Sequence, residues 1–175
     1  MTGSEDRTCK VWELSTGKLV ATFDGHQARV LSARFSPDGR HVVSAGLDHS
    51  AKIWDAANGK QVRSLPLGTA QPSWAGFTPD GERVVIAADR SAGIWNVATG
   101  KVVLNLADQT TGPSHAAISP SGERIVTTDG EHANLWAAAT GKRVARLSGH
   151  LAHINCAAFS PDVPFQLLQG RLVPR

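Results

Sequence analysis

The sequence predicts an all-β protein built from four copies of one four-stranded antiparallel unit. Three observations support that expectation. Trp12, Trp54, Trp95 and Trp136 stand 42, 41 and 41 residues apart, a fixed period of the length that marks repeat architectures. A turn sequence recurs ahead of the last three: Ser36-Pro-Asp-Gly39, Thr78-Pro-Asp-Gly81 and Ser119-Pro-Ser-Gly122, with Ser160-Pro-Asp162 starting another near the C-terminus. Between these markers lie short alternating runs rich in Val and Ile, joined by Gly, Pro, Asn or Asp, with no helical period.

The chain starts in mid-unit. Thr2-Gly-Ser-Glu-Asp6 matches the end of a second strand and its bend, Ser44 to Asp48. Thr8–Trp12 and Leu19–Phe23 then alternate as strands c and d, joined at Thr16-Gly17. The first whole unit places strand a at Arg29–Phe35, b at His41–Ala45, c at Ala51–Trp54 and d at Gln61–Leu65. Pro fixes φ in its Pro-Asp-Gly turn and Gly accepts positive φ. Asn58-Gly59 predicts a type I′ hairpin between c and d. Thr99-Gly100 and Thr140-Gly141 hold the same place in the later units. The second unit runs Pro72–Phe77, Arg83–Ala87, Ala92–Trp95 and Lys101–Leu106, and the third Ser114–Ile118, Arg124–Thr128, Ala133–Trp136 and Arg143–Leu147. His153–Phe159 is expected to be one more strand a.

After Asp162 the pattern stops. The sequence divides into a repeat domain over residues 1–163, with an incomplete fourth unit, and a tail over 164–175. The tail ends in Leu172-Val-Pro-Arg175, which reads as the remnant of an engineered thrombin site and is expected to be non-native. Within it, Phe165–Gly170 falls where His41–Gly46 stands in the first unit, so it is the candidate for a missing strand b.

Composition bounds the function. The chain has 175 residues, 41% hydrophobic and 19% charged, enough for one sizeable core. A net charge of +3 without a run of five basic residues argues against a nucleic-acid surface. No apolar run is long enough to span a membrane and no leader pattern is visible, so the expected location is the cytoplasm and no membrane partner is expected. Cys9 and Cys156 have no motif spacing and read as buried strand thiols.

The Gly25-His26 and Gly149-His150 dipeptides, the Ser-Pro-Asp-Gly turns, the Ser44-x-Gly46-x-Asp48 bend and the Ile53-Trp54-Asp55 strand end together resemble the WD40-repeat family over residues 2–162. The resemblance implies a WD40-type β-propeller: four-stranded antiparallel blades around a channel, strand a innermost, about four blades in this chain. It also implies a hydrogen-bonded His–Ser/Thr–Asp–Trp network in each well-formed blade. Blade one has His26, Ser44, Asp48 and Trp54. Blade two keeps Asp89 and Trp95 but has Gly68 and Ile86 at the other positions. Blade three has Gln109 for His, with Thr127, Asp129 and Trp136. The split blade draws His150 from one end of the chain and Thr2, Asp6 and Trp12 from the other. A buried indole N–H needs an acceptor, and such a chain of partners supplies one.

His, Ser and Asp together also suggest a nucleophilic triad, and His150-x-x-His153 half a metal site. Recurrence with the repeat gives the first a structural explanation. No paired carboxylate or cysteine stands at ligand spacing for the second. No enzyme activity, metal or cofactor is therefore expected. What varies where the repeat is constant is more informative. At equivalent positions before and within strand a stand Arg29, Gln71, Gly112 and His153, then Ser32, Trp74, His115 and Cys156. In the family this rim commonly receives peptides, so Arg29, Gln71, Trp74, His115 and His153 are the candidate partner-binding residues. Trp and Arg most often dominate binding energy, although Trp74 could equally pack between blades.

The function read from this is a non-catalytic scaffold that binds protein or peptide partners at the rim. Two alternatives stand beside it: a truncated or engineered half-propeller with no partner of its own, and a channel-site enzyme or small-molecule binder requiring Arg29, His115 and His153 to converge. Four repeats left open would expose strand edges, which soluble proteins avoid. Ala33, Ala75, Ala116 and Ala157 on strand a suit shallow packing of neighbouring blades. The expectation is a homodimer closing an eight-bladed ring.

Overall fold

The computed structural model describes residues 1–89, 91–106, 112–161, 167–168 and 171–172. The first sheet contains β1 (Thr2–Gly3), β2 (Thr8–Trp12) and β3 (Leu19–Asp24), in that order. The second contains β4 (Val30–Phe35), β5 (His41–Gly46), β6 (Ser50–Asp55) and β7 (Gln61–Pro66), also in sequence order. The third contains β8 (Pro72–Phe77), β9 (Arg83–Ala88), β10 (Ser91–Asn96) and β11 (Val102–Leu106). The fourth contains β12 (Ala116–Ile118), β13 (Arg124–Asp129), β14 (His132–Ala137) and β15 (Arg143–Leu147). Every pairing is antiparallel between sequence neighbours, as short turns require. The three four-stranded sheets have the form expected of β-propeller blades, the first sheet is an incomplete one, and no helix occurs among the described residues.

The repeated turns have a common physical basis. At Ser36–Gly39 the Gly39 amide donates to the Ser36 carbonyl (2.9 Å) and φ of Gly39 is 71°. The Ser36 hydroxyl accepts from the His41 amide at 2.9 Å, and Asp38 accepts from the Arg40 amide at 3.0 Å. Thr78 and Ser119 repeat the hydroxyl contact with Arg83 and Arg124. The turn at Asn58-Gly59 differs from the type I′ expectation: Gly59 has positive φ but Asn58 does not. Asp55 is the reason, because its carboxylate accepts from the amides of Ala57 and Asn58 at 2.9 and 3.1 Å. This stabilises a longer loop closed by Gly59 N–H to the Asp55 carbonyl. In all four sheets the c–d register shifts immediately before the tryptophan, at Trp12, Trp54, Trp95 and Trp136. A bulge at this point re-aims the side chain that follows it.

The core lies between successive blades. Cys9, Val11, Ala21 and Phe23 of the first sheet pack on Val30, Val42 and Trp54 of the second. Val43, Ile53 and Leu65 on its other face meet Ala75, Phe77, Val84 and Ile86 of the third. Val85, Ile94 and Leu106 of the third sheet then meet Ala116, Ile125 and Trp136 of the fourth. Each whole blade therefore offers its tryptophan side backward and its Leu65-type side forward.

Three expectations need correction. His153–Phe159 is not a strand. It lies along blade three, where the Ile154 amide donates to the Gly130 carbonyl (2.8 Å) and Ser114 donates to the Ile154 carbonyl (3.1 Å). With no strand b beside it, it has no ladder to join. Among the described residues of the tail, β16 (Leu167–Leu168) pairs with β17 (Arg171–Leu172) in a hairpin of its own and neither joins a blade. The remaining residues of Phe165–Gly170, like Gln109, lie outside the described residues. Finally, Cys9 is buried but Cys156 is exposed, because the segment that carries it remains unpaired.

Candidate functional site

Two groups of side chains matter: the blade networks and a cluster on the inner strands. Blade one holds a continuous chain of hydrogen bonds. Trp54 Nε1–H donates to Ser44 Oγ at 2.8 Å, and Ser44 Oγ lies 2.7 Å from His26 Nε2. His26 Nδ1 stands 2.9 Å from Asp48 Oδ2. One proton arrangement satisfies every group: Nδ1–H donates to the carboxylate, and Nε2 accepts from the serine hydroxyl. Asp48 also accepts from the Gln27 amide (2.9 Å) and the Ser50 hydroxyl (2.8 Å).

Burial pushes the His26 pKa below its ordinary value, against the pull of Asp48, so the imidazole is neutral at pH 7. Burial opposes ionisation of Asp48, but the bonds from Gln27, Ser50 and His26 outweigh it and hold its carboxyl below the usual range. Gly46 makes room for this arrangement. A Cβ there would stand 2.6 Å from His26 Nδ1 and 3.0 Å from Asp48 Oδ1. The set has the composition of a nucleophilic triad, yet Ser44 is fully buried and its oxygen is occupied by an indole. It serves as internal scaffolding.

The other networks are partial. In blade three Trp136 Nε1 donates to Thr127 Oγ1 at 2.9 Å, and the buried Asp129 accepts from Asn134 at 3.4 Å. In blade two Ile86 is buried where Ser44 stands, Asp89 is exposed, and the Trp95 indole lies against Gly93. In the first sheet Trp12 Nε1 donates to Thr2 Oγ1 at 3.1 Å, while Asp6 accepts from the Thr8 amide and hydroxyl. The exposed His150 makes no hydrogen bond with Asp6, Thr2 or Trp12 of its own chain.

The rim positions separate. Arg29 is exposed and paired with Glu5 at 2.6 Å. Gln71 and His153 are exposed, whereas His115 is half-buried. Trp74 is only 6% exposed and packs in the core between blades two and three, so it is not a solvent-presented anchor. Its indole lies flat over Gly76, where a Cβ would come within 2.5 Å of the ring. The ring centroids of His115 and Trp74 are 5.8 Å apart, and the Arg34 guanidinium sits 5.2 Å from the indole centroid. His115 Nδ1 accepts from the Ala157 amide at 3.3 Å. Burial, and then the Arg34 charge, lower the His115 pKa. Arg29 and His153, the other two residues proposed to converge with His115, are not part of this cluster, and no group of three metal-ligating side chains occurs among the described residues. Sequence reasoning passed over Arg34. The signal was available, since Arg34, Gly76, Ala117 and Ala158 are equivalent and only the first is charged.

With this geometry in view, the similarity to known proteins falls on two stretches of the chain. A family model described as "WD domain, G-beta repeat" matches residues 17–55 and 141–168. These two stretches are WD40 repeats, the family that the sequence resembles over residues 2–162. The two matched stretches are those that contain Gly25-His26 and Gly149-His150. Blades two and three, where Gly68 and Gln109 replace the histidine, fall mostly outside them. Among relatives, the chain is similar to a Lissencephaly-1 homolog of Dictyostelium discoideum, 49% identical over 45 residues, covering 26% of this chain and 11% of the relative. It is also similar to transcription initiation factor TFIID subunit 5 of Caenorhabditis elegans, 45% identical over 42 residues, covering 24% of this chain and 6% of the relative. A third is nuclear distribution protein PAC1 of Arthroderma otae, 42% identical over 48 residues, covering 27% of this chain and 10% of the relative. The match thus spans about a tenth or less of each relative's length. No helix among the described residues is long and apolar enough to cross a membrane.

Proposed function

We propose that this WD40-repeat chain is a non-catalytic interaction module that presents a protein-binding rim before its inner strands. The observation that carries this reading is the contrast between conformity and variation. The network residues of blade one repeat the family pattern and are buried, whereas Arg29, Gln71 and His153 occupy one equivalent position, are exposed and differ in chemistry. The test is selection of binders from a random peptide library against the folded chain. An Arg29→Ala/His153→Ala double variant should lose the selected peptides with its melting temperature little changed. Unaltered binding by that variant would overturn the rim assignment.

A second reading concerns assembly. Trp12 is 37% exposed whereas Trp54 is 1% exposed, and Leu147 is 38% exposed whereas the equivalent Leu65 is fully buried. The two uncovered faces are thus of the two kinds that pack together between blades elsewhere in the chain. This supports closure of an eight-bladed ring by a second copy, with His150 of one chain reaching Asp6 and Trp12 of its partner. Light scattering should give twice 18.5 kDa. A mass of one chain would exclude the dimer.

A further inference from the structure

We propose that the cluster of Arg34, Trp74 and His115 forms a second binding site, distinct from the exposed rim residues Arg29, Gln71 and His153, that takes an acidic side chain of an extended peptide. The three residues line one open cavity of about 480 Å³, bounded by Phe35, Phe77 and the segment Cys156–Phe159. No carboxylate is among its described lining residues.

Arg34 is the centre of the argument. It is exposed, and among the described residues it makes no hydrogen bond or ion pair; its guanidinium carbon sits over the Trp74 ring, 5.2 Å from the centroid. A guanidinium held on an aromatic face is partly desolvated and fixed in orientation, while its N–H fork stays open for a planar anion. Carboxylate and phosphate both match this fork bidentately, and the single charge of a carboxylate suits a cavity whose described lining holds one guanidinium. The surroundings supply orientation. Trp74 is locked by its burial between blades two and three and by contact with Gly76, so the platform under Arg34 does not need to be ordered on binding. His115 is held by the Ala157 amide on Nδ1, which places its remaining N–H on Nε2 as a further donor toward an acceptor-bearing ligand.

The occupant is a peptide for two reasons. The half-exposed Phe35 and the partly buried Ile118 and Phe159 give the mouth an apolar lining that suits the residues flanking an acidic one. The bordering segment 153–159 is outside any ladder, and although Ile154 and the Ala157 amide are already bonded, Cys156 and Ala158, which line the cavity, keep backbone groups available to an extended chain.

The experiment uses fluorescence anisotropy with three labelled nine-residue peptides that differ only in the central residue, Phe-Glu-Phe, Phe-Gln-Phe or Phe-Lys-Phe. The Glu peptide should bind about tenfold or more tighter than the Gln peptide, with the Lys peptide weakest, and added salt should narrow the difference. Arg34→Gln should make the Glu and Gln peptides equal, and Arg34→Lys should keep only part of the preference. Because Arg34 is exposed, both variants are expected to fold, and circular dichroism checks this. Equal affinity for the Glu and Gln peptides, a preference that survives Arg34→Gln, or binding of none of the three would overturn the proposal. Displacement of the Glu peptide by glutarate at equal concentration would overturn the peptide as occupant. The rim reading is tested with Arg29 and His153, which are not part of this cavity, so the two proposals fail separately.

Discussion

Replacement of Asp48 by alanine isolates the contribution of the blade-one network. Its carboxylate accepts from His26 Nδ1, the Gln27 amide and the Ser50 hydroxyl at 2.8–2.9 Å. Removing it leaves the imidazole N–H of a buried histidine with no acceptor. An orphaned buried donor costs about 1–3 kcal/mol, and bonds to a charged acceptor lie at the upper part of the range for hydrogen bonds. Water can reach part of this site, because Asp48 is only partly buried, and that limits the loss. The expected destabilisation is about 2–3 kcal/mol. For a chain of this size that lowers the melting temperature by roughly 5–10 °C. The matched control is Asp89→Ala in blade two. Asp89 is exposed, and its side chain accepts no hydrogen bond among the described residues, so its loss should fall within about 0.5 kcal/mol of zero. Urea denaturation of both variants, compared at constant m, measures the difference. Equal losses would refute the assignment of a working network to blade one and a broken one to blade two.

Gly46→Ala should also destabilise blade one, by about 1–3 kcal/mol, because the new methyl enters the space of the His26 ring; unchanged stability by the same denaturation assay would show that the ring can give way. Stability should fall on mild acidification. The folded pKa of His26 lies below its ordinary 6.5, so the contribution of the neutral imidazole is whole above that pH and is lost as pH falls from there toward the folded value. Asp48 acts in the same direction at lower pH, below 3.8. Denaturation midpoints measured from about pH 7.5 to about pH 5 should decline in the wild type and much less in His26→Asn.

The repeat made blade one legible in the sequence. Trp54, Asp48, Ser44 and His26 each have a chemical need that another of the four meets, and their spacing recurs. Most strand positions were also readable, because a Gly with positive φ recurs in the turn after strand a and in the turn after strand c. The misreadings have physical causes that lie outside a single repeat. Asn58-Gly59 has the residues of a type I′ turn, but Asp55 caps the amides of Ala57 and Asn58 and selects a longer loop. Trp74 breaks the repeat as a binding residue would, and only the three-dimensional neighbours show its indole covered by blade three. Gly76, two residues along on the same face, was the local hint that a large ring lies flat there. His153–Phe159 has the pattern of a strand, yet a strand needs a partner, and pattern alone does not supply one.

The same reasoning applies to the ends of the blade stack. Every internal interface joins a face bearing a tryptophan to a face of the kind that carries Leu65 or Leu106, and in blades one and three this seals the indole against its own hydroxyl acceptor. Trp12 has its acceptor, Thr2, but no preceding blade to cover it, and Leu147 has no following blade. Faces of complementary kind at opposite ends form a heterologous pair, which closes into a ring when the rotations sum to a full turn and otherwise continues as a filament. Four blades need about 90° per step and eight need about 45°, the latter at the upper end of usual blade numbers. Ala33, Ala75 and Ala116 on the inner strands let neighbouring sheets approach closely, which favours the smaller step. The complete set of network residues divided between His150 and the Thr2–Trp12 stretch fits such a closure, because a histidine with no acid of its own gains one only where the two ends of the stack meet.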